Sequence, residues 1–153
     1  MKRKENICLA ASAGGHLSEL LALASSWKGR DCFSVTTTDV VRDKLKAYGN
    51  VYVVGESNRE HPCRVLFVLC RCIGIIVKER PSVILSTGAS VGCILCYLGK
   101  LVGAKVIWID SITNVPRPSF SGRMVRPIAD LFLVQWSELA ENLDNAEYAG
   151  AII

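Results

Sequence analysis

The chain has 153 residues, half of them apolar and 21% charged, with a formal charge of +4. That is long enough for one domain with a real core, and the composition excludes a disordered chain. The basic residues are scattered, without interleaved aromatics, so nucleic acid is not an expected partner, and no uninterrupted apolar run is long enough to cross a bilayer.

In chain order, the first element is an apolar strand over 6–11, ending at Ser12-Ala13-Gly14-Gly15-His16-Leu17-Ser18-Glu19. Paired glycines allow a ligand to approach the backbone, and the helix that follows, over 16–27, offers free N–H groups to an anion. His16 and Glu19 are three residues apart, on one side of its first turn. Further strands are predicted at Cys32–Thr37, Val51–Gly55, Val83–Ser86, Lys105–Asp110 and Leu131–Val134. Helices are predicted near 39–48, 62–79 and 90–102. The segment 111–126 reads as a long loop, and 148–153 as a small final strand or a tail. Strands such as Val83-Ile84-Leu85 and Val106-Ile107-Trp108-Ile109 are continuously apolar, as in parallel sheets covered on both faces. The alternation predicts an α/β fold, a Rossmann-like doubly wound parallel sheet, whose ligands bind beyond the carboxyl ends of the strands.

The loops at that edge carry the candidate chemistry. His16 has two open roles, a general base toward a substrate hydroxyl or a donor to a phosphate. Glu19 either orients its ring or simply favours the helix start. Thr87-Gly88-Ala89-Ser90 is a second strand-to-helix turn able to meet an anion. Asp110 is a second candidate base, a sugar ligand, or a cap on the next turn. Arg117 and Arg123 suit phosphate, against the alternative of solvated surface charge. Trp136, after Gln135, can stack on a sugar, meet a partner or belong to the core. A dinucleotide fingerprint fails: with Gly14 as its middle glycine, Ser12 and Leu17 stand at the outer places.

In the helix at 62–80, Arg64, Arg71 and Lys78 recur every seven residues amid Phe67 and other apolar side chains. That pattern fits a helix lying on anionic lipid, or one packed on the sheet with a basic edge in water. Cys93-x-x-Cys96 and Cys70-x-Cys72 lack a second ligand pair, so buried thiols are expected rather than zinc. Seven cysteines, and an opening apolar run too short for a signal peptide, lead to the expectation of a cytoplasmic protein.

Ala13–Glu19, the run Pro81–Gly92 (PSVILSTGASVG) and the block Trp108–Tyr148 together resemble the acceptor-side subunit of a two-subunit N-acetylglucosamine transferase. Pro118–Arg123 and Ala129–Trp136 are the most specific parts. Eukaryotic members carry an N-terminal membrane anchor, which this chain is expected to lack, as in bacterial members serving capsule and exopolysaccharide assembly.

The resemblance implies one acceptor-binding domain over 1–153, equivalent to the N-terminal lobe of a GT-B glycosyltransferase. The donor-binding lobe, with its UDP-sugar, is expected on a separate chain, giving a heterodimer inactive as single subunits. The acceptor would be a polyprenyl-diphosphate-linked sugar at the cytoplasmic membrane face. Catalytic candidates are His16, Glu19 and Asp110. Acceptor or phosphate contacts fall on Gly14, Gly15, Thr87, Gly88, Ser90, Arg117, Ser119 and Arg123. Gln135 and Trp136 are candidates for partner or sugar contact, and Arg64, Phe67, Arg71 and Lys78 for membrane contact. Neither a cofactor nor a metal is expected. The competing classes are a non-catalytic membrane anchor for the partner and an independent nucleotide-binding enzyme.

Overall fold

The computed structural model describes residues 5–57 and 60–152; the basic residues 2–4 and Ile153 lie outside them. Among the described residues seven parallel strands form one sheet: β1 (Ile7–Ala10), β2 (Cys32–Thr36), β3 (Asn50–Val53), β4 (Val83–Ser86), β5 (Lys105–Ile109), β6 (Leu131–Val134) and β7 (Glu147–Tyr148), in the order β3-β2-β1-β4-β5-β6-β7. The order reverses between β1 and β4, which pair from Ile7↔Val83 to Ala10↔Ser86. A crevice opens at such a reversal because the connecting segments leave it in opposite directions.

Side chains alternate between two cores, one on each face. Cys8, Ala10, Phe33, Val35, Ile84, Val106, Trp108, Phe132 and Val134 pack toward the longer helices. Leu9, Leu85 and Ile109 pack with Leu17, Leu20 and Trp27 on the other face. One face carries α3 (Pro62–Glu79) and α4 (Ala89–Leu101), and α5 (Phe120–Val125) packs beside α4; the opposite face carries α1 (Gly15–Ala22) and α2 (Arg42–Leu45). A short α6 (Ser137–Glu141) precedes β7.

The predicted strands and the two long helices are present within a residue or two. Elsewhere the chain departs from the expectation. The helix expected over 16–27 is α1 followed by a 3-10 turn at Ala24–Trp27, and 39–48 divides into 3-10 turns around α2. The loop expected over 111–126 ends in α5, whose N-cap Ser119 accepts from the Gly122 N–H. Pro81 ends α3: Arg80 takes a left-handed φ of 46° and its N–H still reaches Ile76 O.

α3 has two faces. Val68, Cys72, Ile75 and Ile76 are buried, while Leu66 (61% exposed), Phe67 (58%), Ile73 and Val77 (60%) form an apolar stripe in solvent. Cys63 and Cys70 are exposed, Cys72, Cys93 and Cys96 buried, and all seven cysteines are free.

At the amino edge of the sheet, Asp130 binds Lys100 Nζ (2.8 Å), Lys105 Nζ (3.2 Å) and the Val106 N–H (2.8 Å). Burial works against its charge, but these donors outweigh it and hold the carboxyl at about 2. Because the folded value is depressed, this contribution to stability is complete above the ordinary carboxylate range and is lost as pH falls toward 2. D130N is expected to cost on the order of 1 kcal/mol near neutral pH, and less in acid, as read from denaturant unfolding at several pH values.

Candidate active site

β1 and β4 end side by side, and the turns that follow them are tied together. His16 Nδ1 lies 2.9 Å from Thr87 O, and Thr87 Oγ1 donates to His16 O at 2.6 Å. A carbonyl only accepts, so Nδ1 carries the proton and, in the neutral ring, the lone pair is on Nε2. The ring lies against Gly88, where a Cβ would overlap it. Glu19, one turn along α1, brings Oε2 to 3.8 Å from His16 Nδ1.

The other oxygen of Glu19 holds the neighbouring loops. Oε1 accepts from Ser111 Oγ (2.9 Å), the Ile112 N–H (3.1 Å) and Gln135 Nε2 (3.4 Å). Its Oε2 is buried without a hydrogen bond. One carboxylate therefore fixes the ends of β5 and β6 and presents a negative oxygen toward the imidazole.

His16 opens on a groove of about 560 Å³, lined by Ser57, Val65, Ala89, Ser90, Cys93, Ile94, Ser119, Phe120, Ser121 and Met124. The volume falls in the range of small-molecule sites, and the lining joins serine hydroxyls to an apolar wall. Ser57, in the loop after β3, and Ser90 of α4 share a hydrogen bond of 2.6 Å. Sequence reasoning missed Ser57, Phe120, Ser121 and Met124. The N-cap serine at 119 was the available signal for α5; nothing local marks Ser57, which reaches the groove only because β3 ends nearby. A larger hollow of about 770 Å³, around Trp27 and Tyr48, lies at the amino edge, away from this chemistry.

Several expected residues have internal duties. Asp110 is only 2% exposed, and its oxygens accept from the Ser119 N–H (2.8 Å), Ser119 Oγ (2.6 Å) and Trp108 Nε1 (3.2 Å). It holds a loop and does not line the groove, in contrast to the expected second base or sugar ligand. Gln135, expected to meet a partner or sugar, is 3% exposed; Nε2 donates to Asp110 O (3.0 Å) and Oε1 accepts from the Ile152 N–H (2.7 Å). The Thr87 and Ser119 hydroxyls are likewise spent within the protein, which removes them as phosphate donors.

Trp136 is partly exposed and its indole N–H bonds Ile112 O. Arg117 is exposed and does not line the groove; Arg123 lies 5.7 Å from the centre of the Phe120 ring, at the groove wall. The Gly14 and Gly15 backbone faces open space. Among the described residues no cluster of three or more His, Cys, Asp or Glu could hold a metal ion, and no helix is long and apolar enough to cross a membrane.

Sheet order, a glycine turn at the reversal and an adjoining groove define a Rossmann-like lobe, the N-terminal half of the GT-B glycosyltransferase fold. MurG of Acinetobacter baumannii superposes with a TM-score of 0.76 at 13% identity, covering 94% of this chain and 45% of that one. A UDP-N-acetylglucosamine 2-epimerase from Rickettsia bellii gives 0.71 at 13% identity, over 97% and 45%.

The chain belongs to the family of oligosaccharide biosynthesis protein Alg14 like, which matches residues 44–152. It is similar to the UDP-N-acetylglucosamine transferase subunit ALG14 of Debaryomyces hansenii, at 38% identity over 99% of this chain and 78% of that protein. The subunit of the same name from Yarrowia lipolytica is 30% identical over 78% of this chain, which spans 58% of that relative. The human one is 22% identical over 97% of this chain and 83% of its own length.

Because the His16 ring occupies the space a side chain at 88 would need, G88A is expected to displace it and break the bond to Thr87 O. Nitrogen NMR should show His16 with its proton on Nδ1 in the parent and a mixture of tautomers in G88A, together with a stability loss of roughly 1–3 kcal/mol.

Proposed function

We propose that this chain is the acceptor-side half of a glycosyltransferase that moves a sugar from a UDP-sugar to a polyprenyl-diphosphate-linked saccharide. N-acetylglucosamine is the expected sugar, in line with the names of the relatives. The chain supplies one acceptor-binding domain, and the donor-binding lobe is a separate subunit, as the word subunit in those names suggests. The observation that carries the proposal is the His16–Thr87 pairing, which places the lone pair of the neutral imidazole on Nε2, on a ring that lines the groove.

In this mechanism the acceptor sugar lies in the groove with one hydroxyl at His16. Nε2 takes the hydroxyl proton as the oxygen attacks the anomeric carbon of the donor. The bond from that carbon to the UDP oxygen breaks, UDP leaves with the electron pair, and the configuration inverts. Glu19 Oε2 offsets the charge gained by the imidazole. Gly14, Gly15, the α4 start at Ser90, and the exposed Arg117 and Arg123 are the groups available to the acceptor diphosphate, without a metal, while the Gly88 N–H is already given to Ser86 Oγ.

Membrane contact falls to α3. Its stripe of Leu66, Phe67, Ile73 and Val77 is exposed, and Arg64, Arg71 and Lys78 flank it. Such a helix lies in the headgroup region, with its cations on anionic lipid. This orientation brings the groove, which Val65 of α3 lines, to the lipid surface. We assign the chain to the cytoplasmic face of the membrane, and to capsule or exopolysaccharide assembly as in the bacterial members, on the family resemblance of residues 13–19, 81–92 and 108–148. The same exposed stripe favours a second reading, a non-catalytic anchor that recruits the donor-binding subunit.

The deciding experiment is transfer from UDP-N-acetylglucosamine to a polyprenyl-diphosphate-linked sugar by the chain co-purified with its partner. H16Q is expected to lower kcat about 100- to 10,000-fold while the partner stays bound. Full transfer by H16Q would leave only the anchor.

Cosedimentation with vesicles rich in anionic lipid tests α3 separately. The pair F67E and V77E is expected to weaken binding at least tenfold. Charge removal at Arg64, Arg71 and Lys78 should cost about fivefold each and abolish the salt dependence.

A further inference from the structure

We infer that Asp110 is a positioning residue, the anchor of a carboxylate clamp that sets the α5 wall of the acceptor groove; the inference rests on the groove's being the acceptor site. The clamp joins the end of β5 to the start of α5 across the loop 111–118. Both Asp110 oxygens are committed to it: Oδ2 accepts from the Ser119 N–H, and Oδ1 from Ser119 Oγ and Trp108 Nε1. Ser119 Oγ in turn accepts from the Gly122 N–H at 2.9 Å and so caps the helix. Every group facing the carboxyl oxygens is a donor. A carboxylate satisfies all three, whereas a carboxamide would turn its NH2 toward one of them.

The packing is as restrictive as the hydrogen bonding. A Cβ at Gly122 would come within 2.7 Å of Asp110 Oδ1, 2.9 Å of Ser119 Oγ and 3.1 Å of Trp108 Nε1. The first turn of α5 is therefore seated against the acid itself. From that turn Phe120, Ser121 and Met124 line the groove, facing a space shared with His16, Ser90 and Cys93. A buried carboxyl group is costly unless fully bonded, and here the bonding fixes a wall of the site. Asp110 thus acts on the acceptor through α5, without touching it.

A positioning residue and a base differ in what they change. D110N removes the carboxylate, and G122A displaces it while leaving it chemically intact. Both are expected to raise the acceptor KM about tenfold or more in the reconstituted transfer assay, with kcat within about threefold and the pH–rate profile unmoved. In the chain itself, alkylation of Cys93 by a maleimide, followed by peptide mass spectrometry, should quicken at least fivefold in both. Cys93 is buried in the groove, and burial raises its thiol pKa, so the parent reacts slowly.

Should D110N fail to fold, S119A keeps the acid and removes one bond and the cap; its KM and Cys93 rate should shift in the same direction. A kcat loss of a hundredfold in D110N alone, with the acidic limb of its pH profile altered and G122A normal, would make Asp110 a base and overturn the clamp. Unchanged KM and unchanged Cys93 labelling in folded variants would overturn it as well. Absence of transfer by the parent complex would count against the acceptor reading instead, and the Cys93 rates would still report on the wall.

Discussion

The pairing of β1 with β4 is the constraint on which the site depends. It brings two turns distant in sequence, at 11–14 and 87–88, to one point of the sheet where the order reverses. There the His16 ring donates to the Thr87 carbonyl, the Thr87 hydroxyl donates to the His16 carbonyl, and Gly88 leaves room for the imidazole. The lone pair of His16 is thereby assigned to one nitrogen.

Around that point the acids divide their work according to what faces them. Glu19 commits one oxygen to the loops beyond β5 and β6 and keeps the other near the imidazole. Asp110 commits both oxygens to donors, and Gln135 joins its carbonyl to the C-terminal segment through Ile152. Burial thus sorts three similar polar side chains into an electrostatic companion, a clamp and a brace. The fully bonded ones hold shape because releasing them would leave buried polar groups unsatisfied.

α3 carries two obligations at once. Val68, Cys72, Ile75 and Ile76 close the core beside β1 and β4, and the opposite stripe stays apolar in solvent. A single helix usually shows one such face. The second apolar face, bordered by cations, is the one proposed for contact with a lipid surface.

The sequence by itself determined the fold class, the boundaries of most strands, the two long helices and the turns worth inspecting, because periodicity, glycines and Pro81 are local signals. His16 and Glu19 were legible as a pair, since three residues along a helix start make them neighbours. Tertiary structure alone decided that Thr87 orients the imidazole, that Asp110 is buried under Ser119, and that Gln135 faces inward. It also placed Ser57, Phe120 and Met124 in the groove. The reason is physical: a hydroxyl, an amide or a carboxylate takes its role from the donors and acceptors around it, and those arrive from β4, β6 and α5, remote in the chain until the sheet forms.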